Sequence, residues 1–125
     1  MSPPQTQIAA THRDQQDAAR SVAALFDSSA VHFRRASVVS DSAGKLESRD
    51  VQKRFLQAKA EAYAHFAETA ELNREIVGMV MDESITTNDE LAPKVTDAGQ
   101  RRDSAQSAGM AAQERANLIA KELTN

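Results

Sequence analysis

The chain has 125 residues, of which 41% are apolar and only 4% aromatic, and it carries a formal net charge of −3. This length suits one domain, and the charge predicts no general attraction to nucleic acid or to an anionic membrane. The absence of cysteine excludes disulfides, thiolate metal ligands and cysteine nucleophiles.

No apolar run approaches the roughly 18 residues that cross a bilayer. The N-terminal residues lack the basic start and apolar core of a cleavable signal. We therefore expect a soluble protein that is cytoplasmic, or exported without a cleavable signal peptide.

The first predicted helix covers residues 7–38 and follows a flexible tail at residues 1–6, where Pro3 and Pro4 disfavour a helix before them. Apolar and small residues recur in a heptad-like pattern whose apolar part is concentrated in residues 18–33. Residues 40–44 read Ser-Asp-Ser-Ala-Gly, which is the composition of a turn.

The second predicted helix covers residues 46–82 and organises the others. Its apolar and small residues alternate at spacings of four and three, as a helix with one apolar face requires. These residues are Val51, Phe55, Ala58, Ala62, His65, Thr69, Leu72, Ile76 and Met79. A helix on the order of 50 Å long buries such a stripe only if other helices lie beside it.

The third predicted helix covers residues 89–123. Thr87 and Glu90 have the spacing of a capping box at its start, and small residues dominate the middle of its inner face. Two short connections between three long helices require an up-down-up course. The sequence therefore predicts an all-α, elongated, antiparallel three-helix bundle resembling a coiled coil, in one domain over residues 7–125.

Charge is distributed unevenly along this predicted rod. Residues 34–59, around the first turn, hold seven basic and three acidic side chains, whereas residues 68–97, around the second turn, hold eight acidic and two basic ones. The two turns lie at opposite ends of an antiparallel rod, which should therefore be an electrical dipole along its length. Complementary charge on another molecule would account for this layout; solvated surface charge without a role is the alternative.

Residues 76–81 read Ile-Val-Gly-Met-Val-Met and are apolar nearly all round the helix, and Ile85 follows. Three helices leave part of such a segment exposed unless the second connection folds over it. We therefore predict a partner-binding surface at the apolar and charged ends. Its residues are Val77, Met81, Ile85, Glu71, Glu75, Arg49, Lys53 and Arg54.

Catalytic and metal chemistry have weak support in the sequence. If the first turn is centred near residue 42, Asp17 faces Glu68, with Asp103 and His65 nearby. Such a layer resembles the carboxylate sites of di-iron bundles, but the doubled Glu-x-x-His motif is missing. The sequence also lacks a nucleophile elbow and a phosphate-binding loop. We therefore expect no enzyme activity, no metal and no cofactor.

The leading functional hypothesis is a non-catalytic helical protein–protein interaction module that self-associates or docks on a helical partner. One alternative is an exported helical secretion-system substrate or filament subunit. Another is weak nucleic-acid binding through the basic first turn, which the acids Asp41, Glu47 and Asp50 and the scarcity of stacking aromatics disfavour.

Overall fold

The computed structural model describes the backbone of residues 4–81 and 88–124 and the side chains of residues 14–81 and 89–124. These form three α-helices: α1 (Pro4–Leu46), α2 (Asp50–Met81) and α3 (Asn88–Thr124). The middle helix packs against both neighbours, whereas the described backbones of α1 and α3 do not approach each other. The predicted all-α three-helix bundle is confirmed, in an open form with α2 at its centre.

The helix bounds correct the predicted ones at the first connection. α1 continues through the expected turn at residues 40–44 and ends at Leu46, so the connection is residues 47–49. Gly44 has an ordinary negative φ and is buried. A Cβ on it would lie 3.5 Å from the Leu56 Cβ atom. Gly44 is therefore a point of close helix approach and not a turn.

At the other bounds the differences are small. α1 begins at Pro4, three residues before its predicted start, and residues 1–3 of the predicted tail lie outside the described residues. Thr87 of the predicted capping box also lies outside them.

The longer α1 changes the register predicted between α1 and α2. Arg34 pairs with Glu71, Asp27 with Arg74, and the Ser37 hydroxyl donates to the Ala60 carbonyl oxygen. The residue numbers of antiparallel neighbours thus add to about 100 and not to about 85, because the connection is centred near residue 48. The predicted pairing of Asp17 with Glu68 is consequently wrong.

The core consists almost entirely of alanine. One face of α3 buries Ala98, Ala105 and Ala112 at heptad spacing, together with Ala116. The middle helix buries two sets of small residues, and Leu72 is the one large side chain of the described core. Alanine lets helices approach closely, but each buried methyl group removes little apolar area from water.

Phe66 packs closely against Gly109 of α3. A Cβ atom added to Gly109 would lie 2.7 and 2.8 Å from the Phe66 ring atoms Cε1 and Cδ1, and 3.3 Å from the His65 Cβ atom. On the other side, the Phe66 ring centroid is 5.6 Å from that of Phe33 in α1. One aromatic ring therefore touches both outer helices.

We predict that Gly109→Ala lowers the free energy of unfolding by about 1–2 kcal/mol, because the new methyl group must displace the Phe66 ring. This is the net change, in which an overpacking cost of about 2–3 kcal/mol exceeds the gain of roughly 1 kcal/mol that alanine has over glycine inside a helix. Urea unfolding followed by circular dichroism measures the change.

Gly99→Ala in the same helix is the matched control. Its nearest neighbour would be the mobile Arg102 Nη2 atom at 3.8 Å, so stability should rise by about 0.5–1 kcal/mol. Equal stabilisation by both substitutions would show that the Phe66–Gly109 contact is not tight.

Candidate docking surface

An open groove of about 400 Å³ runs between α1 and α3 over the middle of α2. Four of the five aromatic side chains in the chain line it. Its lining residues are Phe26, Ser29, Phe33, Tyr63, Phe66, Thr69, Ala70, Asn73 and Gln106. We call this side of the molecule the groove face.

The aromatic rings form a connected cluster across two helices. The centroid of Phe33 lies 6.3 Å from that of Tyr63, with the planes 27° apart, and 5.6 Å from that of Phe66. Such pairs contribute about 0.5–1.5 kcal/mol each beyond the area they bury. All four groove aromatics are only half-buried, so part of each ring is available to a ligand or partner.

Basic side chains bound the groove at both ends, although its described lining residues are uncharged. At one end the Lys59 ammonium lies 4.6 Å from the Tyr63 ring centroid and donates to Gln113 Oε1 at 2.8 Å. At the other end Arg102 Nη1 donates to Asn73 Oδ1 at 3.4 Å. Between these ends the groove offers packing and neutral hydrogen bonds.

Apolar surface extends beyond the groove on both outer helices. Val22 precedes Phe26 by four residues and Ser29 by seven, so it shares their side of α1, and it is 41% exposed. Leu25, one turn before Ser29, is 67% exposed. On α3, Met110 is exposed and lines a second depression that shares Phe66 with the groove.

Among the described residues four ion pairs join neighbouring helices, and three of them define a second surface, the charged face. Two join α1 to α2 and two join α2 to α3. The three are Arg34–Glu71 at 2.7 Å, Arg54–Glu122 at 3.0 Å, and Arg115–Glu61. The fourth, Arg74–Asp27 at 3.3 Å, is not part of the charged face, because Arg74 follows the groove residue Ala70 by four residues and so shares its side of α2. Each is well exposed to solvent, so each contributes about 0–1 kcal/mol.

The groove face and the charged face point in different directions. Successive α-helical residues are about 100° apart, so nine residues place two side chains about 180° apart. Glu61 and Ala70 have that separation on α2, as do Gln106 and Arg115 on α3. The three-helix layer is therefore amphipathic: one face is aromatic and the other carries three of the four described interhelical ion pairs.

The predicted apolar end is only partly described. Val77 and Met81 are half-buried. Val77 follows the groove residue Ala70 by seven residues and so shares its side of α2, whereas Met81 follows Arg74, which pairs with Asp27 of α1, by seven. Val80 is the most exposed apolar residue there, at 65%. Ile85 lies outside the described residues. Partner binding at this end stays a prediction.

The predicted charged residues are mostly engaged within the chain. Glu71 accepts from Arg34 Nε at 2.7 Å. Arg54 donates to Asp50 at 3.0 Å and to Glu122 at 3.0 Å. Glu75 is exposed and Lys53 is half-buried. Intramolecular pairing lowers the charge that these side chains present to a partner.

Glu47 and Arg49 close the first connection. The Glu47 Oε1 atom accepts from the Arg49 backbone amide at 3.0 Å and from its Nε at 2.8 Å, and Arg49 Nη2 donates to Oε2 at 3.1 Å. These bonds favour the ionised carboxylate, and they lower the Glu47 pKa from 4.5 to about 2.

The predicted carboxylate layer does not form. Asp17 pairs with Arg20 one turn away at 3.1 Å, and Asp103 pairs with its neighbour Arg102. Across the described residues, no cluster of three or more histidine or acidic side chains could hold a metal ion. No described helix contains an apolar stretch long enough to cross a membrane.

The uneven charge distribution predicted from the sequence is also found when the described residues are grouped by their level along the rod. At the level of the first connection, residues 34–65 and 110–124 hold nine basic and six acidic side chains. At the opposite end, described residues 14–33, 67–81 and 89–109 hold ten acidic and five basic ones. The rod therefore has a positive and a negative end.

Sequence reasoning missed the groove, although a signal for it was present. Phe26 and Phe33 are seven residues apart, and Tyr63 and Phe66 fall at matching antiparallel positions once α1 is extended to Leu46. The incorrect end of α1 hid this match.

No family model, curated protein or solved structure matches the chain.

We predict that the Glu47 carboxyl carbon, followed by NMR, titrates near pH 2 and not near 4.5. In the folded chain the ionised group is favoured, so the stability from this contact is fully present above about pH 4.5 and is lost as the pH falls towards 2. Arg49→Gln should raise the midpoint towards 4.5, whereas Arg35→Gln, twelve residues away, should leave it near 2. An unchanged midpoint in Arg49→Gln would contradict the assignment.

Proposed function

We propose that this chain is a non-catalytic helical interaction module whose groove face docks a helical surface of another molecule, either a helical partner protein or a second copy. The observation that carries the proposal is the aromatic groove, which is uncharged along its described lining and open to solvent between α1 and α3. The ion pairs of the charged face favour that side as the solvated one.

The groove has the form that a helix can fill. Amphipathic helices bind by laying an apolar stripe into a groove lined with aromatic and aliphatic side chains. Here α1 and α3 run parallel on either side of α2, and their separation leaves an elongated groove above it. A docked helix would place a fourth element beside the three, as in four-helix bundles.

Hydrogen-bonding groups at the groove margin support docking of a protein surface. Ser29 and Gln106 present neutral polar groups, while the Thr69 hydroxyl donates back to the His65 carbonyl oxygen at 2.9 Å. Protein interfaces typically combine an aromatic centre with a polar rim. The groove has this composition.

The nucleic-acid alternative is weaker because of the ion pairs at the first connection. Arg49 is held by Glu47, and Arg54 is held by both Asp50 and Glu122. Phosphate would have to compete with these carboxylates.

The alternative of an exported subunit concerns where the chain acts, and a docking groove would serve such a subunit equally well.

Site-specific photo-crosslinking tests the proposal in cells that make the full chain. A benzophenone amino acid replaces Ser29 on the groove face or, as the control, Val38, which lines a depression on the charged face together with Glu61. We expect protein adducts from position 29 and few from position 38. Equal yields, or no adduct from position 29, would contradict docking on the groove face.

A further inference from the structure

We propose that the molecule covering the groove face is a second copy of this chain, which lies antiparallel to the first and is related to it by a two-fold axis perpendicular to the rod. This inference rests on the proposed docking function and names the partner.

Charge favours the antiparallel arrangement. The end with the first connection has an excess of three positive charges among its described side chains, and the opposite end has an excess of five negative charges. Two parallel copies would place like ends together, whereas antiparallel copies place each positive end against a negative one. A second copy is therefore an electrostatically complementary partner for the first.

The groove lies near the middle of the rod, where the proposed two-fold axis passes. Its residues on α2 fall between Tyr63 and Asn73, near the middle of a helix that spans Asp50–Met81. A perpendicular axis through this level brings the two groove faces together, because such an interface uses the same patch on both copies. A groove near one end would instead give a staggered pair in which less of each rod is covered.

The groove face is large enough for a stable dimer. With 32 residues, α2 is about 48 Å long. Three helices side by side, at about 8–10 Å between axes, give a face roughly 20 Å wide. The area is on the order of 1,000 Å² per copy, compared with about 800 Å² per partner in a standard interface.

The composition of this face also suits self-docking. Exposed Val22 and Leu25 on α1 and Met110 on α3 flank the aromatic groove. Contiguous apolar surface that is rimmed by polar residues marks interaction sites in soluble proteins. Three of the four described interhelical ion pairs lie on the charged face, so these three do not need to be desolvated when two groove faces meet.

Light scattering across protein concentration tests the proposal on the purified chain. We expect the mass to rise from 13.6 kDa to about twice that value, and no further, because a two-fold interface is closed. A monomer at every concentration overturns the proposal. Adducts of position 29 with a different protein would then leave the docking function standing.

Matched substitutions locate the interface. Val22→Glu on the groove side should weaken dimerisation by about tenfold or more, since a carboxylate would enter an apolar interface. Leu25→Glu should act similarly at a position that is 67% exposed. Val38→Glu, 63% exposed on the charged-face side of the same helix, should change the affinity by less than about twofold.

Circular dichroism should show unchanged helix content in all three variants. Equal weakening by Val22→Glu and Val38→Glu, or no weakening by Val22→Glu and Leu25→Glu, overturns the assignment to the groove face.

Spin labels determine the orientation of the copies. Because the chain lacks cysteine, Leu46→Cys, at a position 88% exposed, accepts a single label at the positive end. Leu46 is 17 residues from Ser29 at the groove, so antiparallel copies place two labels about 50 Å apart. Labels within about 30 Å would indicate parallel copies and overturn the proposed symmetry.

Discussion

The contact of Phe66 with Phe33 and Gly109 is the constraint on which the rest of the molecule depends. In a core made almost wholly of alanine, one large ring has to be accommodated between close-packed helices. Gly109 provides the space on α3, and Phe33 provides the aromatic partner on α1. The ring thus anchors both outer helices to α2, and part of its surface is left in the groove.

A thin core has a consequence for the surface. Alanine-rich seams bury little apolar area per residue, and four of the five aromatic side chains line the groove. Three of the charged pairs that link the described helices occur on the opposite face, where they stay hydrated and contribute modestly. The same division produces an amphipathic layer from three individually amphipathic helices, and an interaction role is the proposal that this layer supports.

The number and direction of the helices could be predicted from the sequence because heptad spacing and short connections leave few alternatives. The end of α1 could not, because Ser40 to Gly44 has the composition of a turn while its glycine serves a close helix contact. That error shifted the register, created a carboxylate layer that does not exist, and hid the aromatic groove. A residue-by-residue pattern shows which side of a helix is apolar, but tertiary packing decides which helix covers it.

Tyr63 offers the most direct test of whether a second copy covers the groove. It lines the groove, it is the one tyrosine of the chain, and the sequence contains no tryptophan, so intrinsic fluorescence reports on this site alone. Quenching by neutral acrylamide should be measured across the concentration range in which the mass doubles. The account predicts that quenching falls as the dimer forms, because the partner copy shields the ring. Quenching that stays constant while the mass doubles would contradict it, since the copies would then meet on another face.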